Sequence, residues 1–224
     1  MISKATPIVP IYLVIDVSYS MIVGITKVNE VIVSTVGLLN AESFAADRVC
    51  LSIISFSDGA NIDLPLTPVD QIEVLPTLGV EGGTSYGPVL RTLRETAVID
   101  VEHLKQGGYR VARPVAFFLT DGQPSDGSWL VDLKALVDSK YYPTLLAFGI
   151  GDADPAVLVQ LASRPELAFM AQQQIDVDVA IANYGKILQD YFRSLSRSTE
   201  TNTTEVAVSI DPVFNVVPSG VEIT

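Results

Sequence analysis

One cysteine, Cys50, and one histidine, His103, are all that 224 residues contain of either type. A single thiol excludes an intrachain disulfide and any cysteine-rich zinc site. A single imidazole puts a histidine-based metal site equally out of reach. Positive charge is scarce as well: 14 Lys and Arg face 26 Asp and Glu, for a net charge of −12. So acidic a chain repels phosphate backbones and anionic lipid headgroups, which argues against nucleic-acid and membrane-surface partners. No apolar run approaches the roughly 18 residues that a spanning helix needs. The start, Met1-Ile2-Ser3-Lys4 and then an apolar run from Ile8 to Ile15, has a faint look of a signal peptide. The run ends at Asp16 with no small-residue cleavage site after it, so a buried first strand is the better account. The expected setting is reducing and cytoplasmic.

What the chain does have is apolar material, 48% against 18% charged, enough to bury a core in one generous domain. Short runs rich in Val, Ile, Leu and Phe (Ile8–Ile15, Val49–Phe56, Val115–Leu119, Thr144–Ile150) alternate with stretches of helical period. Such continuous runs suit strands of a parallel sheet covered on both faces. Helical stripes follow spacings of three and four: Val28, Ile32, Thr35, Leu39; Leu90, Leu93, Ala97, Val101, Leu104; Leu130, Leu133, Val137; and Val177, Ile181, Tyr184, Leu188, Tyr191, Leu195. Asp154-Pro155 reads as an N-cap followed by proline at the first helical position. Asn61–Leu66 follows the second strand after only Ser57-Asp58-Gly59, too short for a crossover, so it should be an antiparallel edge strand. The expectation is an α/β, doubly wound, Rossmann-like sheet of six mostly parallel strands with one antiparallel edge and helices on both faces. It spans residues 1–197. Residues 198–224 begin as a polar hinge, Ser198–Thr204, and the alternation of Val206, Val208 and Ile210 is compatible with a short extra strand.

Ligands of open α/β sheets bind beyond the carboxyl ends of the strands. There the sequence offers Asp16-x-Ser18-x-Ser20 after the first strand, Gly82-Gly83-Thr84-Ser85 before a helix, and Thr120-Asp121-Gly122 after the fourth strand. Asp16, Ser18 and Ser20 alternate, so in an extended loop they point the same way. Hydroxyl, carboxylate and water oxygens suit a hard divalent cation. Few carboxylates and several hydroxyls favour Mg²⁺ or Mn²⁺ over Ca²⁺. Each fragment alone is accounted for by helix capping; three in order at the right strand ends are not.

These residues resemble the metal-ion-dependent adhesion site of von Willebrand factor A domains at all five positions. The resemblance runs from about Ile8 to about Arg197 and includes Phe148-Gly149-Ile150-Gly151. It implies that Ser18, Ser20 and Thr84 are direct ligands, that Asp16 and Asp121 act mainly through water, and that a partner's Glu or Asp completes the coordination. It implies a protein-binding module rather than an enzyme. Tyr19 and Ser85 are expected at the rim of the binding face, and Trp129, near the start of the helix after Asp121, either at that rim as an anchor or packed beneath the helix. Within the family, the Gly149–Asp154 run and the lack of disulfides resemble intracellular, TerY-like bacterial proteins of tellurium-resistance clusters. That branch implies a scaffold working beside a protein kinase and a PP2C-type phosphatase.

Three other chemistries compete. Gly83-Thr84-Ser85-Tyr86-Gly87 matches the G-x-S-x-G elbow of serine hydrolases, but a loop precedes it and His103 follows it on the same helix. Asp16 could open a haloacid-dehalogenase-type phosphatase, but the general acid needed two residues on is Ser18. Gly149-Ile150-Gly151 lacks the third glycine of a dinucleotide fingerprint and reads as a tight turn. Cys50 is expected in the core and His103 at a helix end.

Overall fold

The apolar runs build the middle of a sheet. In the computed structural model, which describes residues 7–41, 48–197 and 213–218, the strands are β1 (Val9–Asp16), β2 (Val49–Phe56), β3 (Ala60–Pro68), β4 (Val115–Thr120), β5 (Thr144–Gly149), β6 (Ala168–Ala171) and β7 (Phe214–Val216). Every residue of β1, β2 and β4 is buried, as the unbroken hydrophobicity of their sequences requires. The order is β3-β2-β1-β4-β5-β6-β7. β1, β2, β4, β5 and β6 run parallel, whereas β3 lies antiparallel to β2 and β7 antiparallel to β6. β3 carries its proline, Pro65, at the edge, where a missing N–H breaks no ladder.

Among the described residues the sheet thus has seven strands and two antiparallel edges, where the sequence suggested six strands and one such edge. β6 and β7 span four and three residues, too short for a period to register. The expected strand at Val206–Ile210 and the hinge at 198–204 lie outside the described residues.

Among the described residues five α-helices cover the sheet: α1 (Ile25–Ala41), α2 (Tyr86–Gln106), α3 (Trp129–Val137), α4 (Pro155–Leu161) and α5 (Val177–Arg197). α1 packs on α5 and α2 packs on α3. The two pairs lie on opposite faces, because neighbouring strand residues point opposite ways. Phe117 meets Tyr191 of α5 with ring centroids 5.2 Å apart, while Phe118 meets Tyr86 of α2 at 5.1 Å. The predicted stripes of α1, α2 and α5 face the core, with Leu104 only half-buried at the end of its stripe. The stripe of α3 is displaced: Trp129, Leu133 and Leu136 are buried, whereas Leu130 and Val137 are exposed. Trp129 stacks edge-on against Tyr86, ring centroids 5.8 Å apart, and this aromatic anchor sets the helix's rotation. Asp154 caps α4 as expected, accepting the Ala156 N–H at 2.8 Å. Cys50 is buried. No described helix is long and apolar enough to cross a membrane.

Candidate metal centre

Because β1 and β4 are adjacent and parallel, their last residues arrive at the same sheet edge. Asp16 ends β1 fully buried. Its Oδ1 accepts the Ser18 N–H at 2.9 Å, which curls the chain into the short 3₁₀ turn Tyr19–Val23. Its Oδ2 accepts the Thr120 hydroxyl at 2.5 Å, tying it to the end of β4. The Ser18 and Ser20 hydroxyls lie 3.0 Å apart, and Ser20 donates to Asp121 Oδ1 at 2.7 Å. Four of the five predicted ligands are therefore linked in series, Asp16 to Ser18 through the serine's backbone N–H and Ser18, Ser20 and Asp121 through their side-chain oxygens.

Thr84 joins from the third loop. The Glu81 N–H donates to the Val17 carbonyl at 2.7 Å and the Tyr19 N–H to the Gly82 carbonyl at 3.2 Å, stitching this loop to the end of β1. Gly82 adopts φ +62°, a conformation that favours glycine. Asp58 packs against it and accepts the Gly83 N–H at 3.0 Å. Thr84 reaches Gly122 so closely that a Cβ there would lie 3.1 Å from its hydroxyl. That residue follows Asp121, so the small side chain leaves room between the Thr84 hydroxyl and the aspartate loop.

Sequence reasoning missed the residues that hold these loops. Asp126 caps α2 from across the molecule, accepting the Tyr86 N–H at 2.7 Å and the Gly87 N–H at 2.9 Å. Ser125 donates both its N–H and its hydroxyl to the Thr84 carbonyl, at 2.7 and 2.8 Å. Beneath them the Tyr86 hydroxyl, held protonated by burial, donates to the Gly122 carbonyl at 3.0 Å. Tyr86 was in plain view within Gly-Thr-Ser-Tyr-Gly; Asp58 and Asp126 carry no local signal.

Burial is the main cause that raises the proton affinity of both aspartates. Asp121 is pushed up to about 6 by burial, against the hydrogen bond from Ser20 and helped by the nearby charges of Asp16 and Asp152. Among the described residues neither forms an ion pair with Lys or Arg. No group of three or more His, Cys, Asp or Glu that could hold a metal exists among those residues, so hydroxyl oxygens would have to complete any coordination here. Two carboxylates short of positive charge, three hydroxyls and a glycine-lined gap fit a small divalent cation that prefers oxygen.

Of the expected rim, Tyr19 is 66% exposed beside the site. Ser85 is partly buried, its hydroxyl 3.2 Å from that of Ser125. Trp129 corrects the expectation: it is 8% exposed, packed beneath α3 rather than standing at the rim. The hydrolase reading of Ser85 loses its base, since His103 sits in the last turn of α2, about 27 Å along the helix axis.

The family described as von Willebrand factor type A domain matches residues 11–183. Comparison with curated proteins gives no match. Among solved structures, the chain is similar to proximal thread matrix protein 1 from the mussel byssus: 20% identity, TM-score 0.62, covering 86% of this chain and 47% of that one. A form of that protein with a zinc-occupied MIDAS motif gives 19% identity and TM-score 0.58 over the same shares. The open conformation of the pilus adhesin SpaC from Lactobacillus rhamnosus GG gives 16% identity and TM-score 0.66, covering 86% of this chain and 30% of that one. The chain thus spans about half the length, or less, of these neighbours.

Proposed function

The chain belongs to the von Willebrand factor type A domain family, and from that premise we propose that it is a non-catalytic, divalent-metal-dependent protein-binding module. The observation that carries this reading is the linked series Asp16, Ser18, Ser20 and Asp121, with Thr84 alongside and, among the described residues, no Lys or Arg paired with either carboxylate. Ser18, Ser20 and Thr84 would hold the ion directly, Asp16 and Asp121 through water. A bound Mg²⁺ would supply a local positive point able to accept a carboxylate. The residues' own work is to arrange this: Thr120 orients Asp16, Ser20 orients Asp121, and Asp58 and Asp126 fix the loops carrying Thr84. In a protein of net charge −12 an acidic partner is otherwise repelled, so the ion would decide where it docks. The zinc-occupied MIDAS of the byssal protein supports a divalent ion at this position; Mg²⁺ is our choice for its oxygen preference, with Mn²⁺ and Ca²⁺ as alternatives.

The partner supplies Glu or Asp, and Tyr19 offers it an exposed ring beside the site. On the resemblance to the TerY-like branch we place the module in the bacterial cytoplasm, with a protein kinase and a PP2C-type phosphatase as the first partners to test. Calorimetric titration of chelator-stripped protein with Mg²⁺, Mn²⁺, Ca²⁺ and Zn²⁺, beside Asp121→Ala, tests the site. One-to-one binding that the substitution removes is expected. Binding unchanged in the variant, or none by any ion, overturns the reading.

A further inference from the structure

At the opposite edge of the sheet, where β4 and β5 begin, lies a cavity of about 390 Å³. Its size falls in the range of small-molecule sites. Three cations, Lys105, Arg113 and Lys140, line it with Tyr141, Tyr142 and Ser139, and no Asp or Glu does. This is a marked concentration in a chain with only 14 Lys and Arg against 26 acidic residues.

The cations are held on the rings. The Lys105 ammonium lies 4.4 Å and that of Lys140 4.9 Å from the centre of the Tyr141 ring, and the Arg113 guanidinium lies 5.2 Å from that of Tyr142. Arg113 spends one N–H, its Nε, on the Tyr142 carbonyl at 3.0 Å. Lys105 donates to the Tyr141 hydroxyl at 3.2 Å. One carboxylate stands outside the wall: Glu102 takes Lys140 at 2.6 Å and the Tyr141 hydroxyl at 2.9 Å. It pairs with Lys140 and also acts on the nearby charge of Lys105, so among the described residues Arg113 is the cation of this wall left without a carboxylate. Lys105, in the last turn of α2, also offsets the negative end of that helix; Arg113, in the segment before β4, serves no helix end. Ser139 lines this cavity, and its hydroxyl, turned inward from solvent, has no hydrogen-bond partner among the described residues, although buried polar groups are nearly always satisfied; a turn about its Cα–Cβ bond is what would offer it to a ligand.

We propose that this cavity binds a small organic anion, its phosphate or carboxylate oxygens taken by Arg113, Lys105 and the Ser139 hydroxyl, its carbon skeleton laid against Tyr141 and Tyr142. The guanidinium's free fork suits an oxyanion. The site is independent of the metal loops, which lie at the other ends of the strands.

The test is calorimetric titration of the full chain in chelator, so that the metal loops take no part, with phenyl phosphate, benzoate and inorganic phosphate as probes. One-to-one binding of phenyl phosphate, weakened about tenfold or more by Arg113→Gln and by Ser139→Ala but unchanged by Asp121→Ala, is expected. Benzoate binding with the same dependence identifies the natural ligand as a carboxylate; preference for phenyl phosphate identifies a phosphate ester. Arg113 is exposed and Ser139→Ala removes only an unpartnered hydroxyl, so both variants should melt with the parent, which thermal unfolding checks. Saturable binding of none of the three probes, or binding that both variants leave intact, overturns the proposal.

Discussion

Ser20 donates its hydroxyl to Asp121 across 101 residues of sequence, at 2.7 Å. The bond joins the turn after β1 to the turn after β4, and both partners are predicted metal ligands. Ser20→Ala removes one proposed ligand oxygen and also the contact that lowers the proton affinity of Asp121. Calorimetry should show divalent-metal affinity reduced at least about tenfold. The titration of Asp121, followed by carboxyl-carbon NMR in chelator, should move above its starting value of about 6. A downward movement would contradict the arrangement.

Thr120→Val tests the support beneath. It leaves every proposed direct ligand in place but deprives Asp16 of its 2.5 Å hydrogen bond. Outer residues of this kind typically set metal affinity within about 10- to 100-fold, and a loss of that size is expected. An unchanged affinity would show that Asp16 needs no orientation from Thr120.

Without metal, stability should fall as pH rises from about 4 to 6. Folded Asp121 holds its proton up to about pH 6, against an ordinary value of 3.8, and Asp16 is shifted in the same direction. The folded state therefore binds more protons than the unfolded state across that window, which favours folding at the acid end and weakens it as the pH passes the folded value. Melting temperatures in chelator should decline over this range, less so in Asp121→Ala. Saturating divalent metal should remove the decline.

The loop clamp should matter for the fold itself. Asp126→Ala leaves the Tyr86 and Gly87 N–H groups of α2 without their acceptors. A cost of about 1–2 kcal/mol in urea unfolding is expected, as for the loss of a helix cap. Metal affinity should fall with it, since Thr84 sits two residues before Tyr86.

Two helical glycines should respond with opposite signs. A Cβ on Gly185 of α5 would come within 2.9 Å of both Val31 methyl groups of α1, so Gly185→Ala should force the helices apart and destabilise by about 1–3 kcal/mol. A Cβ on Gly37 of α1 meets nothing within 4 Å, so Gly37→Ala should stabilise by up to about 1 kcal/mol. Chemical unfolding of both variants distinguishes packing from propensity.

Legibility in the sequence followed the range of the interactions. Uninterrupted Val, Ile, Leu and Phe located β1, β2, β4 and β5, because full burial on both faces leaves no other composition. Two of the three oxygen-bearing turns were legible because the parallel strands β1 and β4 end at the same side of the sheet, and the third because it immediately precedes the helix that begins at Tyr86. What escaped was set by distant partners. Asp58 meets Gly83 over 25 residues and Asp126 meets Tyr86 over 40, and no local pattern encodes either. The rotation of α3 was misjudged because Trp129, read as a surface anchor, buries its ring against Tyr86 and turns Leu130 outward.

β4 alone separates the two sheet edges described above. Arg113 lies just before it and Asp121 just after it, eight extended residues apart, or about 26 Å. Occupants of the two edges would not shadow each other, so they could be engaged at the same time. Their spacing would be set by a strand buried on both faces and paired along both sides, which cannot stretch as a linker does. Two bound molecules would be held at a fixed ruler length.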